Sequence, residues 1–306
     1  MLLRVIHETV YDYAPPVKNA QHMAHLKPRE GDGQALVSHT LAITPEPAQQ
    51  TEAMDVYGNT RAFFNLPAAH DELIVVAHSV VSTTAPAAPG PGLPWEQVRE
   101  RMRYHRGAAY DAATEFTFPS PYVPRHDDFV AYARPSFSAD RPLMEAAWDL
   151  MERIHEDFEY ESQATEVNTP ALESLAQRRG VCQDFAHIMI ACLRGMGLPA
   201  RYVSGYLLTE PPPGQPRLVG SDASHAWVAV WSPGRDGGGT WHDLDPTNNR
   251  ARGEDYVTLA VGRDYSDVSP VRGVIHGGER HTLNVGVTVE PVESPPMQSQ
   301  SQSQSQ

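Results

Sequence analysis

Cysteine occurs only twice in the 306 residues, at positions 182 and 192. That scarcity excludes a disulfide-stapled secreted scaffold. It also leaves no C-x₂₋₄-C pair of the kind that builds structural zinc sites. Long apolar runs are missing too, and no window approaches the ~18 uninterrupted residues of a membrane span. The opening stretch MLLRVIHETVYDYAPP is broken by His7 and Glu8, too early for a signal peptide. Positive charge is in deficit, with 24 Lys and Arg against 38 Asp and Glu and a net charge of −14. Nucleic acid and anionic membrane surfaces are therefore not expected partners, because both require clustered cations. The expected location is the cytoplasm of a bacterial-type cell.

What is present divides into blocks. Residues 1–85 read as a β-rich N-terminal domain: LLRVIHETVYDY, ALVSHTLAIT and ELIVVAHSVVS carry β-branched and alternating runs. Turn chemistry separates them, at Arg29-Glu30-Gly31-Asp32-Gly33 and Tyr57-Gly58-Asn59. APAAPGPGLP (85–94), with four prolines and two glycines, marks a boundary and opens a connecting region over 86–139. Within it WEQVRERMRYH is a short helix and FTFPSPYVPR is extended. The spacing of Leu143, Ala147, Leu150, Met151 and Ile154 predicts a helix over 138–158, capped by Ser138 or Asp140 with Pro142 in its first turn.

A second helix carries an apolar stripe at Phe185, Met189, Cys192, Leu193 and Met196 and is stopped by Gly197 and Pro199. ARYVSGYLL, HAWVAVW and TWHDLD then read as strands, the last two joined through SPGRDGGG as a hairpin. A helix followed by antiparallel strands implies an α+β core over 140–279. HTLNVGVTVEPV predicts an edge strand within 280–297, and the QSQSQSQSQ tail over 298–306 is too polar to fold.

Cys182 can be weighed four ways. A disulfide to Cys192 fails, because ten helical residues separate them by ~15 Å at ~1.5 Å per residue, beyond the ~7 Å that a disulfide tolerates. A mixed metal site using His225, His242 and Asp243 lacks a motif. Packing suits Cys192, inside the apolar stripe. Cys182 instead opens the helix, where the positive dipole end favours a thiolate. Gly180, just before it, is expected to allow a sharp turn and leave the sulfur approachable.

A nucleophilic cysteine needs a base, and the base needs a carboxylate. His225 starts one strand and Asp243 and Asp245 end its neighbour, so a helix start facing those strand ends can unite all three types. Alternation puts Trp241, Asp243 and Asp245 on one face, and geometry leaves the choice of acid open. Gln183 can offer a backbone N–H to an oxyanion. Asp184 and Glu173 read as first-turn or surface acids, His187 as a satisfied polar residue, and Trp227 as either a wall of the site or a core residue. No D-x-[DN]-x-[DN]-G loop calls for calcium, and no cofactor is implied.

GVCQDFAHIMIACLRGMGLPARYVSGYL, SHAWVAVW and WHDLDPTNN together resemble the transglutaminase-like superfamily, a branch of the papain-like cysteine-nucleophile fold, over roughly 140–275. GRDYSDVSPVRGVIHGG and the YDYAPPV and DVYGN stretches resemble its bacterial subgroup. The resemblance implies Cys182 as nucleophile, His225 as base and Asp245, the acid before Pro-Thr, as the orienting carboxylate. It implies acyl transfer or hydrolysis on a peptide or protein substrate through a cysteine thioester, with hydrolysis favoured. The alternative is a peptide-binding module that keeps the fold without the chemistry, and an intact Cys, His and Asp set argues against it.

Overall fold

The alternation noted in the first residues becomes one very long strand. In a computed structural model describing residues 1–90, 92–107, 110–161, 168–209, 224–234 and 238–292, β1 runs over Leu2–Ala24. Leu3, Val5, His7 and Thr9 point inward in strict alternation. β2 (Gln34–Thr44), β3 (Gln49–Met54), β4 (Thr60–Leu66) and β5 (His70–Thr83) follow. β1 is the spine of their sheet. Its first half lies between β5 and the C-terminal part of the chain, and its second half pairs with β4. The Pro15-Pro16 step, which has no N–H to give a ladder, falls where the β1–β5 register shifts between Asp12 and Val17.

The connecting region is helical where it meets the core: α1 (Trp95–Arg101), a 3-10 turn over Ala112–Thr117 and α2 (Asp127–Ala133). α3 spans Leu143–Asp157, but neither Ser138 nor Asp140 caps it. Asp140 turns the chain with φ of 60°, the N-cap position is Pro142, and the Ser138 carbonyl accepts from Trp95 Nε1 instead. β6 (Glu159–Tyr160), α4 (Ala171–Gln177) and β7 (Arg179–Gly180) then lead into α5 (Cys182–Gly195). Residues 184–194 of α5 are all buried, so the helix is enclosed and not merely striped. β8 and β9 cover one side of it, and α2, α3 and α4 the other.

The second sheet comprises β8 (Ala200–Leu207), β9 (Ser224–Pro233), β10 (Gly239–Asp245), β11 (Arg250–Ala251) and β12 (Tyr256–Gly262), ordered β11-β10-β9-β8-β12. β9 and β10 pair as the expected hairpin, though positions 235–237 of its loop lie outside the described residues, as does the 298–306 tail. After α6 (Tyr265–Val268), β13 (Val271–Gly277) and β14 (Arg280–Pro291) return to pair with β1. The stretch expected to form a C-terminal edge strand thus joins the N-terminal sheet.

The two sheets share apolar and polar contacts. Tyr206, Val257 and Leu259 of the second sheet belong to the apolar core of the first. β12 is an edge strand whose outer main-chain groups are occupied by two side-chain amides. Thr258 N–H donates to Gln34 Oε1 at 2.8 Å, and Gln34 Nε2 donates back to the Thr258 carbonyl at 2.8 Å. Val261 exchanges the same pair with Asn59, at 2.9 and 2.7 Å. Asn59 is itself held by Asp55, which accepts from its N–H and Nδ2. Asn59→Ala therefore strands a buried N–H and a buried carbonyl of Val261. The expected cost is about 2–4 kcal/mol, read from urea denaturation; a midpoint equal to wild type would contradict it.

Candidate active site

Four element ends meet at one place: the start of α5, the start of β9, the end of β10 and the start of β12. They bring Cys182, His225, Asp245 and Tyr256 together. Cys182 is the first residue of α5, partly exposed, and its side chain packs against the main core. Its approach is fixed by Asp184, whose Oδ2 accepts the Val181 N–H at 2.9 Å while Oδ1 accepts the Ser174 hydroxyl at 3.2 Å. Gly180 is needed for a reason other than the expected sharp turn. A Cβ there would stand 2.6 Å from Asp184 Oδ2, so the constraint is close approach of a carboxylate and not backbone conformation.

His225 Nε2 lies 2.6 Å from Asp245 Oδ2, with the two side chains 10% and 1% exposed. The His225 ring is also near enough to the Cys182 side chain for the two to interact. With Nε2 turned to the acid, Nδ1 is the nitrogen left for the sulfur. Asp245 accepts three further kinds of donor: the Thr247 and Asn248 N–H groups on Oδ1, Asn248 Nδ2 at 2.7 Å and Tyr256 OH at 2.7 Å on Oδ2. The carboxylate is saturated, and its orientation with it.

Burial alone would raise the Asp245 pKa, but the bonds from His225, Asn248 and Tyr256 hold it below the usual 3.8. Burial alone would lower that of His225, yet Asp245 and Cys182 raise it to about 10. A raised folded pKa means that the His225 contribution to stability is complete below 6.5 and is lost as pH climbs toward about 10. The Asp245 contribution has the opposite sign and is lost as pH falls below 3.8. The melting temperature of His225→Gln should accordingly lie furthest below wild type near pH 6 and converge on it by pH 10. A gap that widens with rising pH would refute this linkage.

Trp227 is both a core residue and a wall, fully buried and set beside His225 and edge-on to Tyr256. A Cβ on Gly205, opposite His225 across the β8–β9 ladder, would meet that indole at 2.5 Å. His187 is fully enclosed, accepts the Tyr265 N–H on Nε2 and is pushed by burial to about 3. It is a neutral structural acceptor. Asp243 stands apart from His225 and pairs with Arg252 Nε at 2.8 Å. Cys192 is buried and burial raises its thiol pKa. Among the described residues no group of three or more His, Cys, Asp or Glu is arranged to hold a metal ion, His242 and Asp243 included. No helix among them is long and apolar enough to cross a membrane. Nothing in the sequence pattern pointed to Tyr256; Asn248 lay within the quoted TNN stretch without an assigned part.

Residues 3–82 match the bacterial transglutaminase-like N-terminal region, and residues 130–246 match the transglutaminase-like superfamily. An uncharacterized protein of Mycobacterium tuberculosis is 42% identical over 296 residues, covering 95% of this chain and 93% of its own. A protein-glutamine gamma-glutamyltransferase of Pseudomonas aeruginosa is 34% identical over 102 residues, 32% of this chain and 15% of that one. A solved structure from Cytophaga hutchinsonii, assigned provisionally as a cysteine protease, shares the fold with a TM-score of 0.73. It is 20% identical and covers 96% of this chain and 92% of that one.

Proposed function

Because the chain belongs to the transglutaminase-like superfamily, we propose that it is a thiol enzyme that cleaves carboxamide or peptide bonds of peptide or protein substrates. Cys182 is the nucleophile, His225 the base and acid, and Asp245 the orienting carboxylate. The observation that carries this reading is the His225 ring held between the Cys182 side chain and a saturated, buried Asp245.

The Cys182 sulfur adds to the carbonyl carbon as its proton rests on His225, and first-turn N–H groups of α5 receive the developing oxyanion. The C–N bond breaks, His225 passes its proton to the departing nitrogen, and a thioester remains on Cys182. Water then gives a proton to His225 and its oxygen to the acyl carbon, and the ring returns the proton to the leaving sulfur. Water is the acceptor we assign, Cys182 being a partly exposed residue. The partial likeness to a gamma-glutamyltransferase supports the same thioester with an amine in the second step.

Incubation with a glutamine-containing peptide and hydroxylamine, followed by mass spectrometry, tests the reading. Hydrolysis gives the glutamate peptide with a gain of one mass unit, or backbone fragments; transfer gives the hydroxamate. A Cys182-linked acyl adduct must precede either product. Product formation without that adduct would overturn the thiol mechanism.

A further inference from the structure

Residues 86–90, 92 and 93, which follow β5, form one wall of a cavity of about 670 Å³. The other walls are α3, through Met144 and Trp148, and the far part of the β9–β10 hairpin, through Trp241. Neither Cys182, His225 nor Asp245 lines it. Its near end reaches Asp243 and Leu244, next to Asp245, and Ser232 at its far end lies seven residues along β9 from His225, about 23 Å at ~3.3 Å per residue.

The titratable groups facing this space are Asp32, Arg201, His242, Asp243 and Arg252. Arg252 pairs with Asp243 at 2.8 Å. Burial lowers the pKa of His242, leaving it uncharged at neutral pH. Arg201 has to share Asp243 with Arg252 as its main counter-charge, so two guanidinium groups face one buried carboxylate. Its guanidinium lies 4.3 Å from the Trp241 ring centre, its side chain is only 11% exposed, and its Nε has no hydrogen-bond partner. The one carboxylate within 4.0 Å among the described residues is Asp32, 77% exposed and at the outer limit of pairing. Two desolvated guanidinium groups sharing one buried carboxylate, one of them laid on an indole at the side of an apolar cavity, are half of a recognition site. Guanidinium supplies a planar donor fork for an oxyacid, and Trp241, Met144 and Trp148 supply contact for an apolar body.

We propose that this cavity binds a small monoanion, an oxyacid group on Arg201 with an aromatic or aliphatic body against Trp241, at a site separate from Cys182.

Two dyes of nearly the same shape test it: 8-anilinonaphthalene-1-sulfonate, and N-phenyl-1-naphthylamine, which lacks the sulfonate. Fluorescence titration of the whole chain should show one saturable site at least 10-fold tighter for the anion, displaced by sodium benzoate. Arg201→Met should weaken the anionic dye at least 10-fold and leave the neutral dye unchanged. Gly90→Trp, where an added Cβ meets nothing within 4 Å, fills the cavity and should weaken both. Cys182→Ala should change neither affinity, so failure of the proposed reaction would not disturb this result. Equal affinity of wild type for the two dyes, or an unaltered preference in folded Arg201→Met, would overturn the site. Should Arg201→Met not fold, wild-type preference together with Gly90→Trp decides: loss of both dyes supports the cavity, and unchanged binding removes it.

Discussion

Cys182→Ala is expected to lower turnover of a peptide carboxamide by about 10⁵–10⁶-fold while leaving the fold intact. Loss of a covalent nucleophile removes the whole thioester route, and only binding and oxyanion stabilisation remain, so the loss approaches that seen when a catalytic unit is dismantled. The fold should tolerate it because the side chain is partly exposed at a helix start and leaves no enclosed void. Turnover together with iodoacetamide mass mapping checks this. Wild type should be alkylated at Cys182 and spared at Cys192, which is fully buried. A folded Cys182→Ala protein within tenfold of wild-type rate would exclude the nucleophile and return attention to a peptide-binding role.

Asp245→Asn should slow the same reaction by about 10⁴-fold, the scale reached when the acid behind a catalytic histidine loses its charge and fixes the wrong tautomer. Here the substitution is harsher than its small change in shape suggests. Asp245 accepts on Oδ2 from His225, Asn248 and Tyr256, and on Oδ1 from two main-chain N–H groups. An amide offers one acceptor oxygen, so its NH₂ must face donors on one side or the other. Stability should fall as well, by about 1–3 kcal/mol for the buried groups left unpaired. The rate effect exceeds what that loss explains, because a few kcal/mol off a cooperative fold still leaves the chain folded at room temperature. An Asp245→Asn enzyme within tenfold of wild type would remove Asp245 from the orienting role.

The parts of this site that were legible in the sequence each sit at the end of an element with a clear local signature. Cys182 lies two residues after Gly180 and opens an apolar helix, His225 opens a β-branched strand, and Asp245 closes the next strand before Pro246. Hairpin pairing of β9 and β10 needed only a short loop. Tyr256 was illegible because it reaches Asp245 by way of β12, which pairs with β8 and not with its chain neighbour β11. That crossover is decided by non-local packing, which periodicity does not encode. Gly180 was recognised, but for its conformational freedom; the carboxylate it makes room for belongs to Asp184, and only coordinates bring them within 2.6 Å. The same limit applies to β1. Pro15-Pro16 reads locally as a break, yet partners on both sides carry the strand through it. Tyr57-Gly58-Asn59 read as turn chemistry, and Asn59 also covers the edge of another sheet.

That edge cover bears on how separable the two halves of this protein are. Excising the first eighty-odd residues would remove Gln34 and Asn59, strip the outer margin of β12 and uncover Tyr206, Val257 and Leu259 at the same time. A bare strand margin beside fresh apolar surface is a template for self-association. The same strand begins with Tyr256, which grips the acid behind His225. The amino-terminal sheet thus shields both the open strand margin and the apolar surface of the half that carries Cys182, His225 and Asp245.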